Sequence, residues 1–421
     1  MTKPPTTPGR LASLAGAGWL AAPSTQEVMA ALQADGHAAR VVGGAVRNGL
    51  LQLAVKDIDI ATTATPLATL EAARKAGFKT FETGIAHGTV TVVAHQTPFE
   101  VTTLRRDDEA DGRRARVTFT SDWLEDASRR DFTINALYCG ADGTVFDPLG
   151  QGLDDLSQRR VRFIGNADER IREDYLRILR FFRFTSDYAS GPPDETGLAA
   201  AIALKDGIAK LSGERRRSEL LRILSSARAP EMIVFMQASG ILEKTLGCAG
   251  NAALLTRLAE IEGATGRSPD AMLRLGALAL TTPGAASTLR ASLKLSSADD
   301  DRLSHMALPD RAFNPATSEF EAKAYLYRHG SEAFCDGVML AWARSGDAHD
   351  EAGWLNRLEL VHRWQAPELP VRGADVLALG VAPGPGVGRI LSQFEDWWIA
   401  AGFPMSPALL AMRLQRLVTE S

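Results

Sequence analysis

Along roughly the first 150 residues, apolar and polar positions alternate between Gly-rich turns; beyond them Ala, Leu and Arg recur at helical intervals. A strand sends successive side chains to opposite faces, whereas a helix returns to one face every three to four residues. The change of period predicts a β-containing head followed by a long helical remainder. The first elements expected are a strand over Ala39–Val42 running into Gly43-Gly44, a short helix over Ala45–Leu53, and a buried strand in VKDIDIATTATP, Val55–Pro66. In that strand Asp57 and Asp59 alternate with Ile58 and Ile60, which puts both carboxylates on one face. Thr65 and Pro66 supply a hydroxyl cap and a first-turn proline for a helix running to Gly77.

Thr89–Val93 and Phe99–Leu104 read as a strand pair, with Glu100 and Thr102 on one face and Phe99 and Val101 on the other. Ala136–Cys139 and Thr144–Phe146 flank a hairpin turn, Ala141-Asp142-Gly143. Helices are expected over Ala167–Thr185, around Leu198–Ile208, over Glu214–Ala227, and in Ala/Leu-rich segments to the end. Gly191-Pro192-Pro193 and Pro383-Gly384-Pro385-Gly386 punctuate this half as loops, and no fixed-period repeat is visible. RRDDEADGRRAR, Arg105–Arg116, nearly lacks apolar residues and reads as a mobile charged loop or a tract that folds onto an anionic partner.

Length and composition narrow the class. A chain of 421 residues exceeds one ordinary core, so about two to four domains are expected. Hydrophobic content of 45% and charged content of 23% are those of a soluble globular protein, and a net charge of -4 does not announce a nucleic-acid binder. Cys139, Cys248 and Cys335 lack metal or redox spacing and read as reduced thiols of a cytosolic protein. Leu11–Ala22 imitates a secretory segment but is broken by glycine, and no run approaches the roughly 20 apolar residues needed to span a bilayer. The expected location is the cytoplasm.

Five segments carry candidate chemistry. Carboxylates two apart on a strand suit hard divalent cations such as Mg²⁺, although a bare D-x-D is more often a solvated strand edge. About a dozen residues upstream, VVGGAVRN offers two glycines at a helix start, an ordinary turn if taken alone, where backbone N–H groups can approach a triphosphate; with Asp57 and Asp59 this describes a site for a nucleotide and its metal, and Glu100 would complete a three-carboxylate cluster for metal-assisted phosphoryl or nucleotidyl transfer. In SRRDFTINALY a helix would place Asp131 and Asn135 at i and i+4, able to reach ribose hydroxyls, after Arg129 and Arg130 for phosphate; a capped helix with solvated arginines is as good a reading of that segment alone.

In EDYLRILRFFRF, Glu173, Arg177 and Arg180 fall on one helix face at i, i+4 and i+7, with Asp174 beside them. An exposed ion-paired helix is the commoner outcome of such spacing, yet a carboxylate next to a guanidinium also matches the donor and acceptor edges of cytosine and adenine and mismatches guanine and uracil. LSGERRRSELLRIL groups Arg215, Arg216 and Arg217, which with Arg159, Arg160 and Arg162 make a plausible phosphate track or an ordinary solvated face. The single His-Asp dipeptide, His349-Asp350, reads as surface.

In this order the segments resemble the class II tRNA nucleotidyltransferase and bacterial poly(A) polymerase family, of the DNA polymerase β-like superfamily. The family's glycine turn and D-x-D stand here as Gly43-Gly44-Ala45-Val46-Arg47-Asn48 and Asp57-Ile58-Asp59, its R-R-D-F-x-x-N as Arg129–Asn135, and its E-D-x-x-R as Glu173–Arg177. The charged tract, Glu214–Leu224 and Gly373–Leu391 resemble its flexible loop, neck helix and tail segment. Asn48 stands where the family usually has aspartate, and Ala374 where many CCA-adding members have Lys or Arg.

The resemblance implies an α+β protein, with a mixed-sheet nucleotidyltransferase head over 1–150 followed by an all-helical neck (151–228), body (229–330) and tRNA-binding tail (331–421). It implies Mg²⁺ at Asp57 and Asp59 aided by Glu100. It also implies a nucleotide site of Gly43, Gly44, Arg47, Arg129, Arg130, Asp131, Asn135, Asp174, Arg177 and Arg180, and RNA contacts from Arg215, Arg216 and Arg217. The activity implied is template-independent addition of CCA to tRNA from CTP and ATP. Poly(A) polymerase, a CC- or A-adding enzyme, and a non-catalytic RNA-binding relative are the alternatives.

Overall fold

The computed structural model describes residues 13–107, 117–280, 282, 284–307, 311–346 and 351–420. Two compact units make up the chain, Met1–Thr245 and Leu246–Ser421. In the first, the strands are β1 (Ala39–Val42), β2 (Asp59–Thr62), β3 (Lys79–Gly84), β4 (Thr89–Ala94), β5 (Thr97–Thr103), β6 (Arg105–Asp107), β7 (Val117–Phe119), β8 (Tyr138–Cys139) and β9 (Val145–Phe146). Among the described residues, seven of them form one mixed sheet in the order β3-β4-β5-β2-β1-β8-β9, and β6 pairs with β7 apart from it. Neighbours in the sheet are antiparallel except β2 and β5, which run parallel. A parallel pair needs a crossover, supplied here by the helix Pro66–Lys75 and the β3–β4 hairpin.

The sheet's two faces differ as the alternation requires. Val90, Val92 and Ala94 of β4 and Phe99, Val101 and Thr103 of β5 are buried on the face covered by the helices Pro23–Ala34 and Pro66–Lys75. Full burial of each such valine or phenylalanine contributes about 1.5–3 kcal/mol. On the opposite face of these two strands stand Thr89 and Thr91 of β4 and Glu100 and Thr102 of β5. Thr65 caps the crossover helix, its Oγ1 accepting from the Ala68 N–H at 3.3 Å, with Pro66 at the first position.

Several expected elements take other forms. The strand in Val55–Pro66 begins only at Asp59, so Asp57 precedes β2 and does not share its pleat. The segment before it is held by Asn48, whose side-chain amide donates to the Ala54 carbonyl at 3.0 Å. Asp131 and Asn135 do not lie on one α-helix: the helix Trp123–Ser128 stops before them, Phe132 is extended and bridges Phe163, and Thr133–Asn135 is a 3₁₀ turn. The expected helix over Ala167–Thr185 is two, Ala167–Glu173 and Leu176–Tyr188, broken where Asp174 is extended at φ -153° and ψ 106°. An Asp174 carboxylate oxygen accepts from the Leu176 N–H at 3.1 Å and so starts the second helix, while Glu173, at the end of the first, still pairs with Arg177. The charged tract begins as β6, and residues 108–116 lie outside the described residues, as does His349-Asp350. β3, β6 and β7 were not expected from the pattern.

Phe132, Phe163, Phe181 and Phe184 form one aromatic cluster, with neighbouring ring centroids 5.0–6.3 Å apart. It ties the RRDF segment to the helix Leu176–Tyr188. All regular elements among the second unit's described residues are helices, with a core around Val376, Ile390, Phe394, Trp398, Leu410, Leu414 and Leu417. Within it a fully buried ion pair, Arg274 to Glu262 at 2.6 Å, joins consecutive helices. Among the described residues no helix is long and apolar enough to cross a membrane.

Candidate active site

The register of the central strands creates the site. Val42, the last residue of β1, lies opposite Asp59, and Asp59 lies opposite Glu100 across the parallel pair. The chain leaves β1 directly into Gly43, whose φ of 68° and ψ of -114° suit glycine alone, and Gly44 begins the helix Gly44–Leu50. The glycine turn and the carboxylates are therefore edge-neighbours. Asp57, exposed on the approach to β2, is close enough to act electrostatically on Asp59.

The Asp59 carboxyl is pushed up to about 6, first by the protein packed around it and then by Glu100 and Asp57, against the pull of Arg130. The residue keeps an open surface, so solvent screens part of this repulsion. Arg130 reaches toward the turn, its Nη1 lying 3.8 Å from where a Cβ on Gly43 would sit. Both Arg129 and Arg130 are anchored on Asp126, a buried carboxylate 2.7 and 3.0 Å from their respective Nη2 atoms.

Behind this face runs a buried polar chain. The Arg47 guanidinium donates to Asn135 Oδ1, to the Tyr188 hydroxyl at 2.7 Å and to Asn48 Oδ1 at 2.9 Å. Asn135 donates to Asp131 Oδ1 at 3.0 Å, and Asp131 Oδ2 accepts from Arg180 at 2.6 and 2.8 Å. Burial works to raise the Asp131 carboxyl, but Arg180, Asn135 and the Phe132 N–H hold it below the usual carboxylate range. Arg47, Asp131 and Asn135 are thus engaged inward.

Asp174 and Arg177 are not paired with each other. An Asp174 oxygen accepts from Arg215 at 2.7 Å, while Arg177 donates to Glu173, to the Arg170 carbonyl at 2.9 Å and to the Arg129 carbonyl at 3.4 Å. Between them Tyr175 packs on Gly207, and the Lys210 ammonium sits 5.0 Å above its ring. Arg216 donates to the Lys244 and Thr245 carbonyls. Arg160 and Arg162 clamp the fully buried Asp155, each with an Nη2 at 2.9 Å, which removes them from an open phosphate track.

Residues 39–162 match the model of the poly A polymerase head domain. A mouse protein, CCA tRNA nucleotidyltransferase 1, mitochondrial, is 36% identical over 375 residues, covering 88% of this chain and 85% of its own. The CCA-adding enzyme of Levilactobacillus brevis is 33% identical over 396 residues, covering 91% and 95%. This chain belongs to the CCA tRNA nucleotidyltransferase family. The solved CCA-adding enzyme of Bacillus stearothermophilus in complex with CTP superposes with a TM-score of 0.69 at 26% identity, covering 94% of this chain and 98% of that one. The Thermotoga maritima CCA-adding enzyme complexed with tRNA shares the fold, with a TM-score of 0.69 at 18% identity and coverage of 97% and 100%.

CCA tRNA nucleotidyltransferases of this pol β-like type are typically metal-dependent, and the donor set here fits a hard cation. It consists of carboxylate oxygens, and Glu100 and Asp57 add to the burial that raises the Asp59 carboxyl. Of the three carboxylates, Asp59 and Glu100 are strand neighbours and Asp57 approaches from the segment before β2; among the described residues no group of three His, Cys, Asp or Glu side chains is already arranged to hold a metal. Asp57 stands outside β2, so the strand pleat pairs Asp59 with Glu100 alone.

Asp126, Tyr188, Asp155 and Glu219, the last 4.0 Å from Arg180 and 3.3 Å from Arg183, belong to these networks and escaped the sequence reading. Asp126 had a signal, since it precedes Arg129 and Arg130 by three and four residues, the spacing of facing side chains on one helical turn. Tyr188 and Glu219 are joined to the site only through tertiary packing.

Proposed function

We propose that this chain adds CCA to the 3′ end of tRNA without a template, taking CTP and ATP and releasing pyrophosphate. The observation that carries this reading is the register that sets the Gly43-Gly44 turn beside Asp59 and Asp59 beside Glu100. A nucleotide whose triphosphate lies along the turn has its α-phosphate next to the carboxylates. Asp57 and Asp59, aided by Glu100, would hold Mg²⁺, which when bound supplies positive charge at the attacking 3′-hydroxyl and the departing pyrophosphate.

The chain's own groups do the positioning. The backbone N–H groups of the glycine turn, with Arg129 and Arg130, receive phosphate oxygens. Asp131 and Asn135 hold Arg180 and Arg47 from behind; direct contact of either with a ribose hydroxyl would require one of those bonds to open. Asp174 and Arg177 read the exocyclic amine and ring nitrogen that cytosine and adenine share. Arg215, Arg216 and Arg217 on the helix Gly213–Leu224 contribute to the RNA-facing side, Arg215 once released from Asp174. We assign 1–150 to the head, 151–228 to the neck, 229–330 to the body and 331–421 to a tRNA-binding tail. We place the protein in the cytoplasm, in keeping with three free cysteine thiols.

The test is to incubate the purified protein, with Mg²⁺, CTP and ATP, with a tRNA lacking CCA and with an arbitrary RNA, and to sequence the products. CCA on the tRNA alone is expected. A long A-tail on both substrates identifies a poly(A) polymerase instead, and undiminished incorporation by Asp57→Ala or Asp59→Ala overturns the assignment of the carboxylates.

A further inference from the structure

Asp126 is a charged group buried to 1% exposure beside the proposed nucleotide site, with no role in the reading above. Its Oδ1 accepts from Arg129 Nε at 2.9 Å and Nη2 at 2.7 Å, and from the Arg105 backbone N–H at 3.4 Å. Its Oδ2 accepts from Arg130 Nε at 3.3 Å and Nη2 at 3.0 Å, and from the Tyr138 hydroxyl at 2.7 Å. Each guanidinium thus gives the same Nε/Nη2 edge to one carboxylate and turns its Nη1 edge away. A guanidinium carries five N–H donors in a rigid plane, so fixing one edge fixes the direction of the others.

The free edge of Arg130 faces the phosphate side of the site, with Nη1 near Gly43 and the charge felt by Asp59. Two arginines against one carboxylate leave a net positive charge, as triphosphate binding requires. Arg129 and Arg130 are 14% and 19% exposed, so their remaining donors are accessible but cannot wander far.

We infer that Asp126 is a positioning residue that aims the Arg129 and Arg130 guanidiniums at the nucleotide's triphosphate. The inference rests on the reading that these arginines and the glycine turn receive phosphate. It explains a choice that stability alone does not, since an apolar residue of similar volume fills a core without the cost of desolvating three charges. Burial works to raise the Asp126 carboxyl, but Arg130, Arg129 and Tyr138 hold it below the usual carboxylate range, so it stays ionised as the clamp needs.

The experiment measures binding of inorganic tripolyphosphate, a probe without a base, alongside steady-state kinetics with CTP and with ATP. For Asp126→Asn the expected result is weaker tripolyphosphate binding by about ten- to a hundredfold, the loss of a charge-assisted bond. KM should rise by a similar factor for CTP and ATP alike, with the order of base preference unchanged. Asp126→Glu keeps the charge on a longer arm and serves as the second variant should Asp126→Asn not fold; it too should weaken tripolyphosphate and both nucleotides in parallel. Wild-type tripolyphosphate affinity in a folded Asp126 variant overturns the inference, as does a loss confined to kcat or to one nucleotide. Arg130→Gln separates the two levels. If it leaves tripolyphosphate binding intact, the phosphate reading itself falls; if it weakens binding and the Asp126 variants do not, only the positioning role falls.

Discussion

A single methyl group added at Gly207 tests whether the elbow between the two helices at Asp174 governs base choice. Gly207 sits in the 3₁₀ turn Lys205–Lys210 with its N–H donated to the Leu204 carbonyl at 3.0 Å. A Cβ there would lie 1.9, 2.0 and 2.4 Å from Cδ1, Cε1 and Cγ of Tyr175. Non-bonded carbons settle about 3.5–4.0 Å apart, so the ring must retreat by roughly 1.5–2 Å. Tyr175 lies between Asp174 and Arg177, and the displacement passes to the two groups assigned to read the base. Overpacking of this kind costs about 1–3 kcal/mol. A misplacement near 1 Å in a reacting complex costs on the order of a hundredfold in rate. The expected outcome for Gly207→Ala is a lower melting temperature, slower CMP and AMP addition, and increased use of GTP and UTP in single-turnover competition. Adding Tyr175→Ala should recover part of the stability, so that the double variant is less destabilised than the sum of the singles. Unchanged melting and unchanged base preference in Gly207→Ala would refute the packing argument.

Arg177→Ala should widen nucleotide choice, and competition among the four nucleoside triphosphates checks it; unaltered discrimination counts against the base-edge pairing. Asn48→Asp restores the residue usual in this family but removes the only side-chain donor to the Ala54 carbonyl that Asn48 provides, a loss of about 1 kcal/mol; hydrogen exchange over residues 51–58 should accelerate, and an unchanged rate sinks the claim. Asp131, held below its usual value of 3.8 in the folded chain, stabilises fully above that pH, and the contribution is lost as pH falls through 3.8 toward the lower folded value. Acid unfolding of Asp131→Asn should therefore start from a less stable protein at neutral pH and show a shallower acid limb; an identical limb would show that the Arg180 pair does not contribute.

The parts of the site that depend on short-range pattern were legible in the chain. β1, its glycine turn and the capped helix at Pro66 appear where alternation, glycine and proline place them. The shared face of Glu100 and Thr102 followed from the pleat of a strand with one buried side. What failed depended on partners distant in sequence. Asp57 alternates correctly with Asp59, yet strand pairing requires a neighbour, and the segment before Asp59 is instead drawn to Asn48. Helical spacing suggested one continuous run through Asp174, but Arg215, from a later helix, and the Leu176 N–H hold its carboxylate outside the helix. The arginines at 160 and 162 looked like a track for phosphate until Asp155 was seen buried between them. Charge clusters report where charge is, whereas its direction is decided by the fold.

The turn joining β4 to β5 is the tight pair His95-Gln96, with φ of 49° and 66°. The gene is therefore unevenly tolerant of added codons. One extra residue between Phe99 and Glu100 sets two demands against each other, since Phe99 keeps its buried place only if Glu100 gives up its side of the pleat, and the reverse. The same three bases inserted at His95-Gln96 lengthen a surface loop and disturb neither. Chains descended from this one should record that asymmetry as length variation at the turn and constant length across the strand that carries Glu100.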